Sequence, residues 1–352
     1  MNQVLFKICS ATLLLTALAM AGLVLAGGVS ADDPPVGGKF EVGLWGDLPY
    51  ARAGTGPTTP KVPNLIQSMN QANLAFTIFD GDTKDGSSVC SDSAIGADVR
   101  NRFNTVAAPT VYVVGDNEWT DCHRSNNGDY DALERLSYIR KTLFNTAESF
   151  GQRKMALEHQ GALGGPYSEN TRWVYNNVVF VGLHIIGSNN NKVGDGQCAA
   201  SNTKRTQAQC DADNLEYRER DAMNLAWLRR SFDLAKQLNA PGIMITIQAN
   251  PAFDTPDTAT VNERENASVD GFNSFLQTLI QETQAFSGQV VLVHGDTHYF
   301  RVDMPLLDPL KLQTNFTRVE TFGEGNAHWV RAVVDPGSKQ VFKFEPMIVQ
   351  GN

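Results

Sequence analysis

The sequence has no block of basic residues and no Cys-x-x-Cys pair among its five cysteines. The first absence, with a formal charge of −9 over 352 residues, argues against nucleic-acid binding through a positive surface. The second removes the usual spacing of a cysteine zinc site. There is also no internal low-complexity segment, no linker-like stretch and no repeat beyond two strand-helix series. The longest apolar run, Ala11 to Ala26, follows Lys7 and precedes Val29-Ser30-Ala31 and then Asp32-Asp33. That is the pattern of a secretory signal peptide over residues 1–31 with a small-residue cleavage site. The run is short of the ~20 residues needed to span a bilayer, so no permanent membrane anchor is expected after cleavage. Cys9 precedes it and is badly placed for a lipoprotein anchor.

Residues 32–352 are enough for one large α/β domain, and a secreted or periplasmic location is expected. Export permits disulfides among the four cysteines that remain. Cys198 and Cys210 bracket a polar loop, which leaves Cys90 to pair with Cys122.

What the sequence does contain is a recurrence of Gly-Asp after apolar runs. Gly46-Asp47, Gly81-Asp82, Gly115-Asp116 and Gly295-Asp296 each follow a stretch that reads as a buried strand. Glycine lets the chain turn sharply as it leaves the sheet, and the next residue then projects its acid into the crevice at the carboxyl ends of the strands. Gly128-Asp129 and Gly194-Asp195 sit in polar loops, so it is the strand context that carries the signal. Strands are expected over Lys39–Leu44, Leu74–Phe79, Thr110–Val114, Val178–Ile186, Ile243–Ile247 and Val290–Val293. Helices are expected over Asp131–Phe144, Leu215–Leu238 and Phe272–Phe286. Val330–Val334 and Val341–Phe344 read as a hairpin around Asp335-Pro336-Gly337-Ser338.

The wording around these acids resembles the calcineurin-like metallophosphoesterase superfamily over nearly the whole chain after residue 31. The blocks are Asp47-Leu48-Pro49, Gly81-Asp82, Gly115-Asp116-Asn117-Glu118, Gln248-Ala249-Asn250-Pro251 and Gly295-Asp296-Thr297-His298. They match, in order, that family's Asp-x-His, Gly-Asp, Gly-Asn-His-Asp/Glu, lone His and Gly-His-x-His. Of the five motif histidines only His298 is retained. The resemblance implies a four-layer α/β/β/α sandwich and a site for two divalent metal ions bridged by Asp82. One metal would take Asp47, Asp82 and His298. The other would take Asp82, Asp116, Asp296 and either Gln248 or Asn250.

The replacements run from imidazole toward oxygen, which favours Mn, Mg or Ca, with Zn or Fe possible. Four carboxylates balance two divalent charges. The implied chemistry is hydrolysis of a phosphate ester by metal-activated hydroxide. Asn117 stands where the family places its proton-donating His and cannot transfer a proton, so Glu118, Asp121 and His123 are the candidate replacements. His294 and His328 are candidate substitute ligands or phosphate-facing donors, whereas His159 and His184 read as structural. The alternative is a catalytically degenerate binding protein on the same fold with a cation-binding crevice.

Overall fold

The computed structural model describes residues 38–50, 60–194, 198, 201–251, 270–305, 307–308 and 311–352. The expected signal peptide and Asn266-Ala267-Ser268, one of two Asn-x-Ser/Thr glycosylation sequons in the sequence, lie outside the described residues. In chain order the first series is β1 (Phe40–Trp45), α1 (Val62–Gln71), β2 (Phe76–Phe79), α2 (Asp98–Phe103), β3 (Thr110–Tyr112) and α3 (Ala132–Leu143). The second is β4 (Glu158–His159), β5 (Thr171–Tyr175), β6 (Val178–Gly182), α4 (Gln207–Gln237), β7 (Gly242–Thr246), α5 (Asn273–Gln284) and β8 (Gln289–His294). The chain ends with β9 (Arg301–Asp303), β10 (Leu307–Asp308), β11 (Lys311–Leu312), β12 (Phe316–Glu320), β13 (Trp329–Val334) and β14 (Phe342–Met347).

Two sheets result. One has the order β14-β13-β1-β2-β3, with β1, β2 and β3 parallel and β13 antiparallel to β1. The other has the order β4-β5-β6-β7-β8-β12-β9, with β6, β7, β8 and β12 parallel. Their central strands are near-continuous apolar runs because both faces are covered. Val42, Leu44, Phe76 and Ile78 of the first sheet pack with Phe180, Met244, Val291 and Val319 of the second. The opposite face of the first sheet is covered by α1, α2 and α3 through Leu65, Val99, Phe103 and Leu136. That of the second is covered by α4 and α5 through Leu228, Phe232, Phe275 and Leu279. The architecture is an α/β/β/α sandwich, as expected.

Local chemistry sets the helix starts. Pro63 opens α1, whose Val62, Leu65, Ile66 and Met69 lie on one buried stripe. Asp131 caps α3 by accepting from Glu134 N, and Thr206 with Gln209 forms a capping box on α4. Cys90–Cys122 and Cys198–Cys210 are both disulfide-bonded, as expected. Among the described residues no helix is long and apolar enough to cross a membrane. In the other sequon, Asn315-Phe316-Thr317, Asn315 Nδ2 donates to the carbonyls of Thr283, Phe286 and Gly288, which commits the amide a glycan would need.

Candidate functional site

Every Gly-Asp singled out by the sequence leaves the carboxyl end of a parallel strand: β1, β2 and β3 in one sheet and β8 in the other. The two sheets therefore deliver their acids to a shared edge. The conformational work is shared differently from the expectation: Gly81 adopts positive φ, at 117°, but so do Asp47, Asp82 and Asp296 themselves, at 50°, 59° and 77°. Gly115 instead gives space: a Cβ there would collide with the Asp82 carboxylate.

The acids are linked one to the next. Asp296 N donates to Asp47 Oδ2 at 3.2 Å, and Asn117 N donates to Asp82 Oδ1 at 3.2 Å. A Cβ on Gly187 would lie 2.8 Å from Asp116 Oδ2 and 2.9 Å from Asp296 Oδ1, which places those two carboxylates side by side. Asp47, Asp82 and Asp116 are buried. Together with Tyr50, Asp85, Asn117, Asp121, Arg124, Ser188, His298 and Glu324, most of this set lines a cleft of about 550 Å³.

The proposed ligands and donors take distinct places. His298 Nε2 lies 3.3 Å from Asp47 Oδ1, and its Nδ1 lies 3.4 Å from Glu324. Burial opposes its charge, but Asp47, Asp296 and Glu324 outweigh that and raise it to about 9. Gln248 points its amide nitrogen, not its oxygen, at Asp82 Oδ2, because Oε1 accepts from Gly187 N at 2.6 Å. Asn250 donates to Asp296 through its backbone N and to Thr297 through Nδ2. Asn117 Nδ2 donates to Asp82 Oδ2 at 2.6 Å and to Tyr50 Oη at 3.0 Å.

The other catalytic candidates separate cleanly. Glu118 is fully buried and clamps two loops, accepting from Thr83 N and, at 2.8 Å, Thr83 Oγ1 with one oxygen, and from Gly115 N at 3.0 Å with the other. The structure thus does not bring Glu118 into the cleft. Nor does it bring in His123, whose Nδ1 is 2.8 Å from Thr203 Oγ1 and whose ring lines a neighbouring cavity. Asp121 does face the cleft. It receives Ser188 Oγ at 2.7 Å and pairs with Arg124 at 2.5 Å. Burial, then the charge of Asp116, push its carboxyl up to about 7 against the pull of Arg124.

His294 and His328 lie elsewhere. His294 is buried with Nδ1 against Gly295 O, and His328 accepts from Val349 N. His159 and His184 hold structural hydrogen bonds to Ser168 O and Glu169.

Three features extend the expected site. Asp80 is fully buried, accepts from Thr321 Oγ1 at 2.8 Å, and has Oδ1 without a hydrogen-bond partner among the described residues. Its position before Gly81-Asp82, doubling the acid at one strand end, is the signal that could have found it. Tyr50 donates to Asp82 Oδ2 at 2.8 Å; burial, then Asp82, hold its hydroxyl well above the usual phenol range. The third is a left-handed run, Ser188, Asn189, Asn190 and Asn191, with φ of 47°, 55°, 56° and 62°. L-residues adopt this region at a cost, and buried Arg220 holds it by donating to the Asn190 side chain and carbonyl. The run presents Ser188 Oγ to both Asp116 and Asp121. Asparagine enrichment is its only sequence signal.

Electrostatically the site is short of cations. Burial, then Asp116, Glu118, Asp47 and Asp296, hold the Asp82 carboxyl well above the usual range. Burial, then Asp47, do the same to Asp80. Asp116 Oδ1 is buried without a hydrogen-bond partner among the described residues. Among those residues no group of three or more His, Cys, Asp or Glu side chains stands in metal-binding geometry.

No protein-family model matches the chain, and no curated protein matches it in sequence. Among solved structures it is similar to the crystal structure of a 5'-nucleotidase from Candida albicans SC5314, at 11% identity and a TM-score of 0.39. That match covers 87% of this chain and 50% of the other, so this chain spans about half the length of that protein.

Proposed function

We propose that the chain is an exported, metal-dependent phosphoesterase, with residues 32–352 forming one catalytic domain and residues 1–31 removed as a signal peptide. The two disulfides fit the oxidising compartment that export implies. The observation that carries the reading is the convergence of four acids from four strand ends of two sheets: Asp82, Asp116 and Asp296 line one cleft, and buried Asp47 lies behind it, accepting from Asp296 N. Buried carboxylates pressed together require protons or cations to balance them.

The residues present fit cations on the chemistry of the donor set. The carboxylates of Asp47, Asp82, Asp116 and Asp296 with the imidazole of His298 would hold two divalent ions, and the unsatisfied Asp116 Oδ1 gives such an ion an oxygen to bind. Oxygen-rich sites favour Mn, Mg or Ca. Gln248 and Asn117, whose amide nitrogens face Asp82, act as donors that orient that carboxylate. When bound, divalent ions supply Lewis acidity toward phosphoryl oxygens and lower the pKa of water.

The chain's own groups do the rest. Arg124 sits at the cleft with a guanidinium able to take phosphoryl oxygens. Tyr50 and Asn117 offer neutral donors that keep their protons at physiological pH. Asp121, held by Ser188 and Arg124, donates a proton to the leaving oxygen in the role that Asn117 cannot fill.

A second reading, a degenerate binding protein, is favoured by one contact set: Asp82 Oδ2 already receives Tyr50, Asn117 and Gln248. Metal analysis of purified protein, followed by a phosphoester screen with manganese, magnesium and calcium on wild type and Asp82→Ala, decides between them. Saturable metal binding and hydrolysis, both lost in Asp82→Ala, support the enzyme. Metal without turnover supports the binding protein. Neither removes both.

A further inference from the structure

Beside the acidic cleft lies a cavity of about 260 Å³ whose lining carries more cations than acids. Arg124, Lys192 and Arg205 line it with His123, and Asp121 is the acid among its lining residues. In a chain with a formal charge of −9, three cations gather around one small cavity, two of them also paired with the buried acids Asp121 and Asp213. The two spaces share Asp121, Arg124 and Ser188, so they are immediate neighbours on either side of these side chains.

The cations are built in. The Arg205 side chain is 8% exposed and pairs with Asp213 at 3.0 Å through Nη1, yet its Nε has no hydrogen-bond partner among the described residues. A buried guanidinium N–H without an acceptor is rare and calls for one. Lys192 Nζ donates to Asp270 O at 3.0 Å and stands 5.7 Å from the Tyr217 ring. Arg124 is tied to the loop bearing Arg205 by its bridge with Thr203, and that loop is closed by Cys198–Cys210. Cys90–Cys122 fixes the segment that leads to Arg124. Burial, and then Arg205 and Arg124, hold His123 down at about 4.

We propose that this cavity is a phosphate-binding subsite for a second phosphoryl group of the substrate, so that the preferred ester carries a further phosphate on its leaving group. The subsite stands on its own geometry; its role toward substrate rests on the hydrolase reading. Arginine and lysine around a small cavity suit a compact oxyanion bound by several N–H donors.

Two measurements test it. Metal-stripped protein is titrated with inorganic phosphate by calorimetry; without cations the carboxylate cleft repels that anion, so binding reports the basic cavity. Saturable 1:1 binding that weakens about 10-fold in both Lys192→Gln and Arg205→Gln is expected, since removing one charge-assisted hydrogen bond is worth roughly that factor. The Lys192 variant leaves the Arg205–Asp213 pair intact and so guards against a folding artefact. No saturable binding, or binding indifferent to both variants and therefore an adventitious ion only, overturns the proposal. Binding of acetate as tight as phosphate overturns its commitment to phosphate. In the second measurement, kcat/KM for butane-1,4-diol bisphosphate is compared with that for butyl phosphate in the presence of manganese. A preference for the bisphosphate that vanishes in Arg205→Gln supports the proposal. Hydrolysis of both esters at equal rates overturns the substrate assignment while leaving the hydrolase reading standing. Phosphate binding with neither ester cleaved leaves the anion site standing and removes the hydrolase reading.

Discussion

The side-chain amide of Gln248, at the end of β7, donates across the junction of the two sheets to Asp82 Oδ2 at 3.3 Å. Gly187 N fixes that orientation by donating to Oε1. Gln248 therefore stabilises the Asp82 carboxylate by hydrogen bonding and turns its own amide oxygen away from it. Gln248→Glu puts a fifth carboxylate against Asp82 and faces it with no new cation. Metal-free Gln248→Glu should melt below wild type, by on the order of 1–3 kcal/mol for a buried hydrogen bond converted to like-charge repulsion. Manganese should recover more stability in this variant than in wild type. Equal melting shifts with manganese in both proteins would contradict a cation site at Asp82.

Asp80 supplies the complementary experiment. Its folded-state pKa is raised by burial and then by Asp47, so the folded chain holds that proton more tightly than the unfolded chain. The sign follows: the associated stability is complete at low pH and is lost as pH rises through the folded pKa. Asp80→Asn removes the loss, keeps an acceptor for Thr321, and gives the unsatisfied Oδ1 position a donor beside Asp47. Metal-free Asp80→Asn should gain on the order of 1 kcal/mol at pH 7.5, roughly 2 °C for a large domain. The gain should shrink as pH falls. A variant less stable than wild type at every pH would refute this account of Asp80.

The buried chain Arg140–Glu169–His184–Trp119 gives a second pH dependence, away from the acids of the cleft. Glu169 accepts from Arg140 and from His184 Nδ1, and His184 Nε2 accepts from Trp119 Nε1 at 3.1 Å. Burial lowers the His184 pKa more than Glu169 raises it. The unfolded state therefore takes a proton first, and stability falls as pH drops below about 6.5, the ordinary histidine value. Glu169 is held well below its usual range, its burial outweighed by Arg140 and His184, so it adds a further loss at still lower pH. His184→Gln should be less stable than wild type at pH 7.5, with a deficit that narrows toward pH 5. A deficit constant across that range would mean that His184 does not titrate on unfolding.

Much of this architecture was legible because it rests on local rules. The apolar runs ending in Gly-Asp marked β1, β2, β3 and β8, and polar loop placement marked both disulfides. The expected strands and helices from Lys39 to Phe344 each correspond to an observed element, with boundaries shifted by a few residues, except that α4 begins at Gln207. Elements with weaker patterns escaped: α1 follows the Gly- and Thr-rich stretch at 54–59, α2 has six residues, and the alternation in β12 is broken by buried Arg318, which pairs with Asp303. Side-chain roles were less legible, because they depend on partners distant in sequence. Glu118 reads as an acid beside the motif, yet its hydrogen bonds run to Thr83, 35 positions away. Gln248 reads as a ligand until Gly187, 61 positions away, settles which amide atom faces Asp82. The left-handed Ser188–Asn191 run exists because Arg220, on α4, holds it.

Proton donation during catalysis separates Asp121 from Glu118. Asp121 lines the cleft, whereas Glu118 spends both oxygens on Thr83 and Gly115. If Asp121 protonates the departing oxygen, Asp121→Asn should slow alkyl phosphate esters by about 10² to 10⁴, the usual worth of a general acid. Activated aryl esters, whose anions leave unaided, should change far less. Glu118→Gln turns one amide N–H₂ toward a backbone donor, so it should cost about 1–3 kcal/mol of stability and slow both ester classes alike. Restoring imidazole with Asn117→His in the Asp121→Asn background should recover alkyl turnover. Rates for both ester classes on the four proteins, with melting curves alongside, decide the matter. Equal slowing of alkyl and aryl esters in Asp121→Asn would place that residue among the supports of the cleft, with the leaving group protonated by solvent.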